Sequence, residues 1–504
     1  MTFIKVDSDR IHGQIDKRMF GGFAEHIGRV VYKGIYEPES KLSDSDGFRT
    51  DVMEAVKKIS PGTLRWPGGN FASAYDWRNA IGPAEERKTV IEPVWKFLEM
   101  NENEPNTFGT DEFIKYCRKI DTEPYICVNM GDGTQREAMH WLEYCNGEAG
   151  TSMADKRVEN GSPEPYNVKY WGLGNEICGH WQVGHKDAKT YAEHALELSK
   201  VMRLIDPDIE LIGAGGIFMR ENFENMEKNW DRVVLEKLAG FIDHMGLHFY
   251  ARKLPVSADE DVRYRDFMSE PEWFDANMQL LRGEIDKALY HIKGDQKRDI
   301  KISVDELGIW YKGFHQIYNL EDALVAGGLL NVLLNNADIV SLMNWAQVAN
   351  VIGPIFTKED DMFLQTIYHP LELYARLASG NALDLCVKSD TFDCEKLKGL
   401  PMLHASAAHD PENGTLTLFV VNRSPSTDIE TEIINQNGCW ESVYEVYEIN
   451  GPALDSENSF ENKDNVRITN KEVQVEKGVS SFKYSFPAHS VTALRISCDC
   501  GRGE

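Results

Sequence analysis

The stretch KYWGLGNEICGHW, residues 169–181, carries a strand pattern directly into an amide and a carboxylate, Asn175 and Glu176. A buried strand ordinarily ends in turn residues such as Gly, Asn or Ser, so a paired amide and acid at its tip indicate contact with a ligand. A single Glu in such a place is more often a solvated loop residue. The choice between these interpretations depends on what the neighbouring strands place beside it.

Seven further strand-like segments accompany this one, and each of the eight is followed by a helical pattern. Apolar residues recur every three or four positions in stretches such as residues 187–205, as an amphipathic helix requires. Eight such units over about 360 residues predict a (β/α)8 TIM barrel of the α/β class rather than a doubly wound sheet. The strand candidates are RMFGGFAEH (18–26), GTLRWPGGN (62–70), EPYICVNMG (123–131), VKYWGLGNE (168–176), IELIGAGG (209–216), IDHMGLHFY (242–250), DIKISVDELG (299–308) and ADIVSLMNWAQ (337–347).

Beyond about residue 385 the pattern changes to β-rich runs separated by Gly, Asn, Asp and Pro, such as GTLTLFVVNRS at 414–424. These runs predict a C-terminal antiparallel β-sandwich, jelly-roll-like, over residues 385–504. The barrel is then expected at residues 18–384. The opening segment, residues 1–17, is strand-like and is expected to pair with the sandwich.

Acidic residues outnumber basic ones, with 81 Asp and Glu against 54 Lys and Arg, which gives a formal net charge of −27. Because the chain has no basic block, neither nucleic acid nor an anionic membrane is expected as a partner. The N-terminus lacks a basic segment leading into an apolar one, and no window approaches the roughly 18 apolar residues of a spanning helix. A cytoplasmic protein is therefore expected.

Nine cysteines, an odd number without a CxxC pair, are expected to be mostly core thiols rather than a disulfide framework. The close pair Cys498 and Cys500 has no second pair to complete a zinc site. We expect neither a metal ion nor a cofactor.

Polar residues fall at the C-terminal ends of most of the predicted strands, where the loops of such a barrel gather its catalytic groups. Two carboxylates facing each other from strands four and seven suit glycosidic bond cleavage. One can protonate the leaving oxygen while the other attacks the anomeric carbon or activates water. The strand-end residues of this expected pocket are Glu25, His26, Asn70, Asn175, Glu176, His248, Tyr250, Asp305, Glu306, Asn344 and Gln347.

Residue spacing leaves two points about this pocket undecided. Neighbouring strand residues face opposite ways, so only one of Asp305 and Glu306 can point into the site, and spacing does not choose between them. The rings of Trp66, Tyr250 and Trp310 offer flat faces for a sugar, while core packing is the alternative for the two tryptophans.

The motifs as a whole resemble those of the α-L-arabinofuranosidases of glycoside hydrolase family 51, over nearly the entire chain. The segments that carry the resemblance include FGGFAEHIGRVVYKGIYEP (20–38), LRWPGGNFASAYDWRNAIGP (64–83), KYWGLGNEICGHWQVG (169–184), VDELGIWY (304–311) and NWAQVANVIGPI (344–355). The resemblance implies that Glu176 is the general acid/base and Glu306 the nucleophile. It also implies homo-oligomers, often hexamers. The residues it assigns to holding the furanose ring or shaping the pocket are Glu25, Asn70, Asn175, Tyr250, Gln347, Trp95 and Trp310.

Departures from the family pattern lie at the pocket rim. The usual DEW-N segment at the nucleophile has Leu307 and Gly308 in place of an aromatic and a polar residue. The usual MDGPWQ after the acid/base reads ICGHWQ, so that Cys178 replaces an acid and His180 is unusual. These changes leave the two carboxylates in place and alter their surroundings.

The sequence therefore predicts a retaining, exo-acting hydrolase that releases terminal non-reducing α-L-arabinofuranosyl residues from arabino-oligosaccharides by double displacement. One alternative is the same machinery acting on a galactofuranoside, a D-arabinofuranoside, a β-xyloside or a glucan. Another is a catalytically silent sugar-binding protein. A nucleotide enzyme, suggested by GAGG at 213–216, is disfavoured because the spacing is not GxGxxG.

Overall fold

The computed structural model of the protein describes residues 2–218, 229–292, 298–474 and 476–499. Its central feature is a closed barrel of eight parallel strands, which confirms the predicted fold class. Each strand pairs with the next, and the ring closes where strand eight pairs with strand one through Asn344 and Gly21. The barrel strands, numbered one to eight, are Gly21–Phe23, Thr63–Trp66, Glu123–Cys127, Tyr170–Leu173, Glu210–Gly213, His244–Ala251, Lys301–Ile309 and Val340–Ala346.

Helices surround the barrel, with at least one after each strand. Most have one apolar face, as in Thr110–Ile120, whose buried residues recur at three- and four-residue spacing. The α-helices are Thr50–Ile59, Thr110–Ile120, Gln135–Asn146, Ser152–Glu159, Ala188–Ile205, Trp230–Leu238, Glu260–Phe267, Glu270–Tyr290, Leu320–Leu334 and Tyr368–Leu377. Short 3-10 helices span Lys17–Met19, Asn70–Ala74, Trp77–Ala80, Ala84–Glu86 and Lys96–Leu98.

The interior of the barrel is filled by side chains rather than open. Tyr125, Tyr170, Ile212 and Leu342, from strands three, four, five and eight, form one buried cluster. Such a packed interior is the usual state of this barrel type, which leaves its C-terminal rim as the place for a pocket.

Two sheets follow the barrel and pack face to face around a second core. The seven-stranded sheet runs, in spatial order, Ile11–Gln14, Asn381–Leu383, Leu403–Asp410, Thr415–Asn422, Ser490–Asp499, Cys439–Asn450 and Arg467–Gln474. The four-stranded sheet runs Cys386–Lys388, Phe3–Val6, Ile429–Asn435 and Ser481–Phe486. Smaller pairings join Ile355–Lys358 with Asp361–Leu364, Thr391–Phe392 with Leu400–Pro401, and Ile217–Phe218 with strand six.

The opening segment contributes one strand to each sheet of the sandwich. Phe3–Val6 pairs in parallel with Ile429–Asn435, an exception to the antiparallel pairing elsewhere in the two sheets. Ile11–Gln14 pairs with Asn381–Leu383, a strand that precedes residue 385 and already belongs to the sandwich. We keep residues 1–17, 18–384 and 385–504 as the proposed division, and note that the strand Asn381–Leu383, which lies just before its second boundary, pairs within the seven-stranded sheet.

The helix Leu320–Leu334 lies between the barrel and the seven-stranded sheet and is buried on all faces. Its Asn331 is a polar link across this contact, since Nδ2 donates to the His404 carbonyl at 2.9 Å and Oδ1 accepts from the Ser406 hydroxyl at 2.6 Å. The ring of Tyr374 stacks on Phe419 with centroids 4.2 Å apart. Barrel and sandwich therefore share one continuous core.

Seven of the nine cysteines have described side chains, and each of these seven is a thiol rather than half of a disulfide. Five are buried and two, Cys386 and Cys439, are exposed. The side chain of Cys498 and the whole of Cys500 lie outside the described residues. In the described part of the chain, none of the helices combines the length and the apolar character needed to span a bilayer.

Because barrel and sandwich share a core, leucine substitutions at two helical glycines, Gly327 and Gly283, should differ in their effect on the apparent Tm. A Cβ added at Gly327 would lie 3.1 Å from side-chain carbons of Val421 and Val491 in the sandwich. We expect Gly327→Leu to lower the apparent Tm by several degrees, since overpacking a tight core costs about 1–3 kcal/mol. Thermal unfolding followed by circular dichroism measures it.

The matched control is Gly283→Leu in the helix Glu270–Tyr290, where an added Cβ would meet no atom within 4 Å. Here the better helix propensity of Leu should leave the apparent Tm unchanged or raise it. Equal effects of the two substitutions would contradict a tight contact between barrel and sandwich.

Candidate active site

Glu176 and Glu306 lie side by side at the C-terminal end of the barrel. Glu176 follows strand four, Glu306 lies in strand seven, and a carboxylate oxygen of each lies within 4.8 Å of the other. His248 of strand six lies between them, with Nδ1 3.0 Å from Glu176 Oε1 and 3.5 Å from Glu306 Oε2. This separation is close to the roughly 5–5.5 Å of retaining glycosidases and well below the roughly 6.5 Å at which inverting ones begin.

Glu306 is a buried carboxylate held by strong donors. Arg65 Nη1 donates to its Oε1 at 2.7 Å, and the Tyr250 hydroxyl donates to its Oε2 at 2.7 Å. Burial acts to raise the pKa of Glu306, but the charges of His248 and Arg65 and these hydrogen bonds outweigh it and lower the pKa. Glu306 is therefore ionised near neutral pH, as a nucleophile must be.

His248 and the two carboxylates also have the donor types of a metal site. The Arg65 guanidinium, however, already places a positive charge against Glu306 Oε1. The pKa of His248 is raised, because the nearby carboxylates outweigh the opposing effect of burial. Arg65 thus supplies the positive charge that Glu306 meets in this structure.

The structure decides between Asp305 and Glu306. Strand seven is irregular here, since its register against strand six shifts between Ser303 and Glu306. Asp305 turns away from the carboxylate pair and accepts from the Ser303 hydroxyl at 2.5 Å. Glu306 is the residue that meets Arg65 and Tyr250.

Glu176 sits in a strained turn directly after strand four. Its φ is +44°, a left-handed conformation that is uncommon for a residue with a side chain and that often marks functional sites. Trp181 Nε1 donates to its Oε2 at 3.1 Å, while His248 occupies the other oxygen. Both oxygens of Glu176 are thus oriented by side chains from different segments.

Asn175 and Asn70 form an amide cluster beside the carboxylates. Arg65 Nη2 donates to Asn175 Oδ1 at 2.7 Å, and Asn175 Nδ2 donates to Asn70 Oδ1 at 3.3 Å. Gln182 also donates to Asn70 Oδ1, and its own Oε1 accepts from the Ser73 hydroxyl at 2.9 Å. Strands two and four are joined here by polar groups that a sugar hydroxyl could also use.

Glu25, which follows strand one, binds Gln347, which follows strand eight. Gln347 Nε2 donates to Glu25 Oε2 at 3.0 Å, and the Glu25 backbone N–H donates to Gln347 Oε1 at 3.0 Å. Trp95 Nε1 donates to Glu25 Oε1 at 3.0 Å. A Cβ on Gly69 would lie 2.7 Å from the same carboxylate, so the PGGN motif needs glycine for this close approach.

The pKa of Glu25 is raised to about 8. Burial is the largest cause, followed by the negative charge of Glu306, and together they outweigh the hydrogen bonds from Phe71 and Trp95. At neutral pH Glu25 is therefore neutral, whereas Glu306 is ionised.

Three residues near the strand ends do not reach the pocket. For His26 and Asn344 this corrects the sequence-based expectation, and for Trp66 it selects the alternative of core packing. Trp66 is fully buried and stacks on Phe113 with centroids 4.9 Å apart, so it is core and not a sugar platform. His26 accepts from Trp66 Nε1 at 3.0 Å, away from the carboxylates. Asn344 lies inside the barrel, where its Oδ1 accepts from the Thr63 hydroxyl at 2.9 Å.

Sequence reasoning missed Arg65, Trp181, Gln182 and Phe314. Arg65 carried the clearest signal, because a charged residue inside the apolar strand TLRW must find a buried partner. Trp310 and Tyr250 do lie together, with ring centroids 5.9 Å apart. Phe314 packs against Trp310 with centroids 5.1 Å apart, a contact between loop residues that no periodicity indicates.

Comparison with known proteins gives a consistent picture. Two family models match, the alpha-L-arabinofuranosidase 1 domain over residues 55–269 and the alpha-L-arabinofuranosidase C-terminal domain over residues 305–490. The chain is 35% identical over 449 residues to an intracellular exo-α-(1→5)-L-arabinofuranosidase of Acetivibrio thermocellus, covering 84% of this chain and 85% of that one. It is 33% identical over 526 residues to alpha-L-arabinofuranosidase C of Emericella nidulans, covering 98% and 97%.

Solved structures show the same similarity in three dimensions. The α-L-arabinofuranosidase of Thermotoga maritima, in an arabinose complex, superimposes with a TM-score of 0.88 at 35% identity and covers 98% of this chain and 100% of its own. A family 51 α-L-arabinofuranosidase of Bifidobacterium longum superimposes with a TM-score of 0.90 at 29% identity, with the same coverage.

The raised pKa of Glu25 predicts a pH-dependent effect on stability. In the unfolded chain Glu25 ionises near pH 4.5, whereas in the folded protein it stays protonated up to about pH 8. Raising the pH between these values therefore favours the unfolded state, and the free energy of unfolding decreases over that interval. Glu25→Gln, which cannot ionise, should therefore gain apparent Tm relative to the unsubstituted protein as pH rises from 5 to about 8. Thermal unfolding across this pH range measures the difference.

Glu104→Gln is the matched control, because Glu104 is also buried but its pKa is lowered by His26 and hydrogen bonds that outweigh desolvation. A carboxyl with a lowered pKa stabilises the fold above its unfolded pKa, so this substitution should reduce the apparent Tm at neutral pH. A Tm difference for Glu25→Gln that does not grow with pH would rule out the neutral carboxyl.

Proposed function

Because the chain belongs to the α-L-arabinofuranosidases of glycoside hydrolase family 51, we propose that it releases terminal non-reducing α-L-arabinofuranosyl residues from arabino-oligosaccharides with retention of configuration. The observation that carries this proposal is the buried pair Glu176 and Glu306, with carboxylate oxygens within 4.8 Å. Two carboxyls at this spacing leave no room for a water between nucleophile and sugar, which favours double displacement over direct attack by water.

Glu306 is the nucleophile in the first step. Its ionised Oε attacks C1 while Glu176 gives a proton to the departing oxygen, so the glycosidic bond breaks and a covalent arabinosyl ester forms. Arg65 and Tyr250 hold the attacking carboxylate in place through their 2.7 Å hydrogen bonds. They also keep it ionised despite its burial.

Glu176 serves as base in the second step. Having lost its proton to the leaving group, it removes a proton from water, which attacks C1 and releases arabinose with Glu306 restored. Trp181 and His248 orient the two oxygens of Glu176 for both steps. Because the pKa of His248 is raised, its protonated form is favoured beside the negative charge that alternates between the two glutamates.

The furanose is proposed to be held by the polar groups around this pair. Asn175 and Asn70 lie on the side of strands two and four, while Glu25 and Gln347 lie on the side of strands one and eight. Asn175 is placed to meet the hydroxyl next to the reacting carbon, an interaction that strengthens as positive charge develops there. These side chains are nearly all buried, and such an enclosed pocket suits a chain end, hence exo action.

We also propose a cytoplasmic location and a homo-oligomeric state. The Acetivibrio relative is named as intracellular, which supports the location. The hexamer remains an implication of the family resemblance. Neither a metal nor a cofactor enters the proposed reaction.

The stereochemistry of the product tests the mechanism. With 4-nitrophenyl α-L-arabinofuranoside as substrate, proton NMR should show the α anomer of arabinose first, because two inversions at C1 restore the starting configuration. Glu306→Ala should lose at least about a thousandfold in kcat, since the covalent step is gone. First appearance of the β anomer would exclude double displacement. Preference for a galactofuranoside, a D-arabinofuranoside or a xyloside in the same assay would overturn the assigned sugar.

The acid role of Glu176 predicts a dependence on the leaving group. Glu176→Ala should lose far more kcat/KM on arabino-oligosaccharides, whose leaving alcohol needs a proton, than on the 4-nitrophenyl glycoside, whose phenolate leaves readily. Steady-state kinetics on both substrates measure the ratio. Glu306→Ala provides the comparison, because it should impair both alike. Equal losses in Glu176→Ala would argue against the acid role.

A further inference from the structure

Four aromatic side chains form a continuous wall along one side of the pocket. Trp95 contacts Phe314 with centroids 5.8 Å apart, Phe314 contacts Trp310 at 5.1 Å, and Trp310 contacts Tyr250 at 5.9 Å. We call Trp95, Phe314, Trp310 and Tyr250 the aromatic wall. Its two ends are polar, since Trp95 donates to Glu25 and Tyr250 donates to Glu306.

Phe314 is the member of the wall that joins two separate loops. Trp310, like Phe314, belongs to the segment after strand seven, whereas Trp95 belongs to the long connection after strand two. Within the wall, the contact between Phe314 and Trp95 is therefore the link between these two connections.

The loop that carries Phe314 is fixed by its own hydrogen bonds. Gln316 Oε1 accepts from the backbone N–H groups of Tyr311 and Lys312 at 3.0 Å each. The Phe314 carbonyl accepts from the Ile352 N–H at 2.8 Å, which ties the loop to the segment after strand eight. Phe314 is thus a rigid surface against which another side chain can be positioned.

The segment around Trp95 is held less completely. The buried carboxylate of Glu92 accepts from the backbone N–H of Trp95 at 2.9 Å and fixes its backbone. The neighbouring Phe97 and Leu98, however, are 75% and 46% exposed and provide little packing. The Trp95 ring is buried, and the contacts that orient it include its hydrogen bond to Glu25 and its edge contact with Phe314.

We propose that Phe314 is a positioning and specificity-determining residue that holds Trp95 against Glu25 and so limits the pocket to a five-carbon furanose. The inference rests on the proposed function and extends it to a residue that contacts the pocket through Trp95. With Phe314 truncated, the Trp95 ring loses its support, the hydrogen bond to Glu25 weakens, and the pocket widens at that side. A sugar with an additional exocyclic carbon, such as a galactofuranoside, then gains access.

The test is a double-mutant cycle between Phe314 and Trp95, read by steady-state kinetics on two 4-nitrophenyl glycosides. Phe314→Ala should raise KM for the α-L-arabinofuranoside about three- to tenfold, the range of one aromatic contact, with kcat within about twofold. The ratio of kcat/KM for the β-D-galactofuranoside to that for the arabinofuranoside should rise. Added to Trp95→Ala, the Phe314→Ala substitution should have little further effect, since the two act through one contact.

Two control variants separate positioning from a loss of folding. Phe314→Tyr keeps the ring and should retain the KM of the unsubstituted protein, and Phe97→Ala removes an exposed aromatic near Trp95 and should change neither constant. The apparent Tm of each variant is measured alongside. An unchanged KM in folded Phe314→Ala, or full additivity with Trp95→Ala, would overturn the inference. Failure of the unsubstituted protein on the arabinofuranoside would instead overturn the proposed function.

Discussion

The buried contact between Arg65 and Glu306 is the interaction on which the site depends. The guanidinium is enclosed, and a buried charge is tolerated only when it is paired and hydrogen-bonded. Here it meets Glu306 Oε1 and Asn175 Oδ1, each at 2.7 Å. Because these partners come from strand seven and the end of strand four, one cation from strand two fixes the span between the segments that carry the two catalytic candidates. Removing it would take away the donor that Glu306 Oε1 and Asn175 Oδ1 share.

Glu25 and Glu306 are both buried in the same pocket, but their pKa values shift in opposite directions because their neighbours differ. Glu306 faces Arg65 and His248, and its pKa is lowered. Glu25 faces neutral donors from Gln347 and Trp95 and also the charge of Glu306, and its pKa is raised to about 8. Electrostatic partners rather than depth decide which of these two carboxyls is ionised at neutral pH. The overall charge of −27 is no guide to this local arrangement.

Two elements outside the pocket, the helix Leu320–Leu334 and the loop before it, hold the end of strand seven in place. The helix Leu320–Leu334, which follows strand seven, is enclosed by the barrel on one side and the seven-stranded sheet on the other. The loop before it is fixed through Tyr318, whose hydroxyl shares its one proton between the Ile309 and Ile352 carbonyls at 2.7 and 3.0 Å. Strand seven is therefore held at its end by the same contacts that place Phe314 in the wall.

The order and type of the elements, the eight strands of the barrel and the polar residues at their ends were all predictable from the sequence, because periodicity and turn chemistry are local properties. It did not choose between Asp305 and Glu306, since the alternation rule assumes a regular strand and this one shifts register after Ser303. It did not place Trp66 in the core, because both faces of a barrel strand read as apolar and only packing against the helices separates them. It gave no partner to Arg65, since Glu306 lies 241 residues away and only the closure of the barrel brings the two charges together.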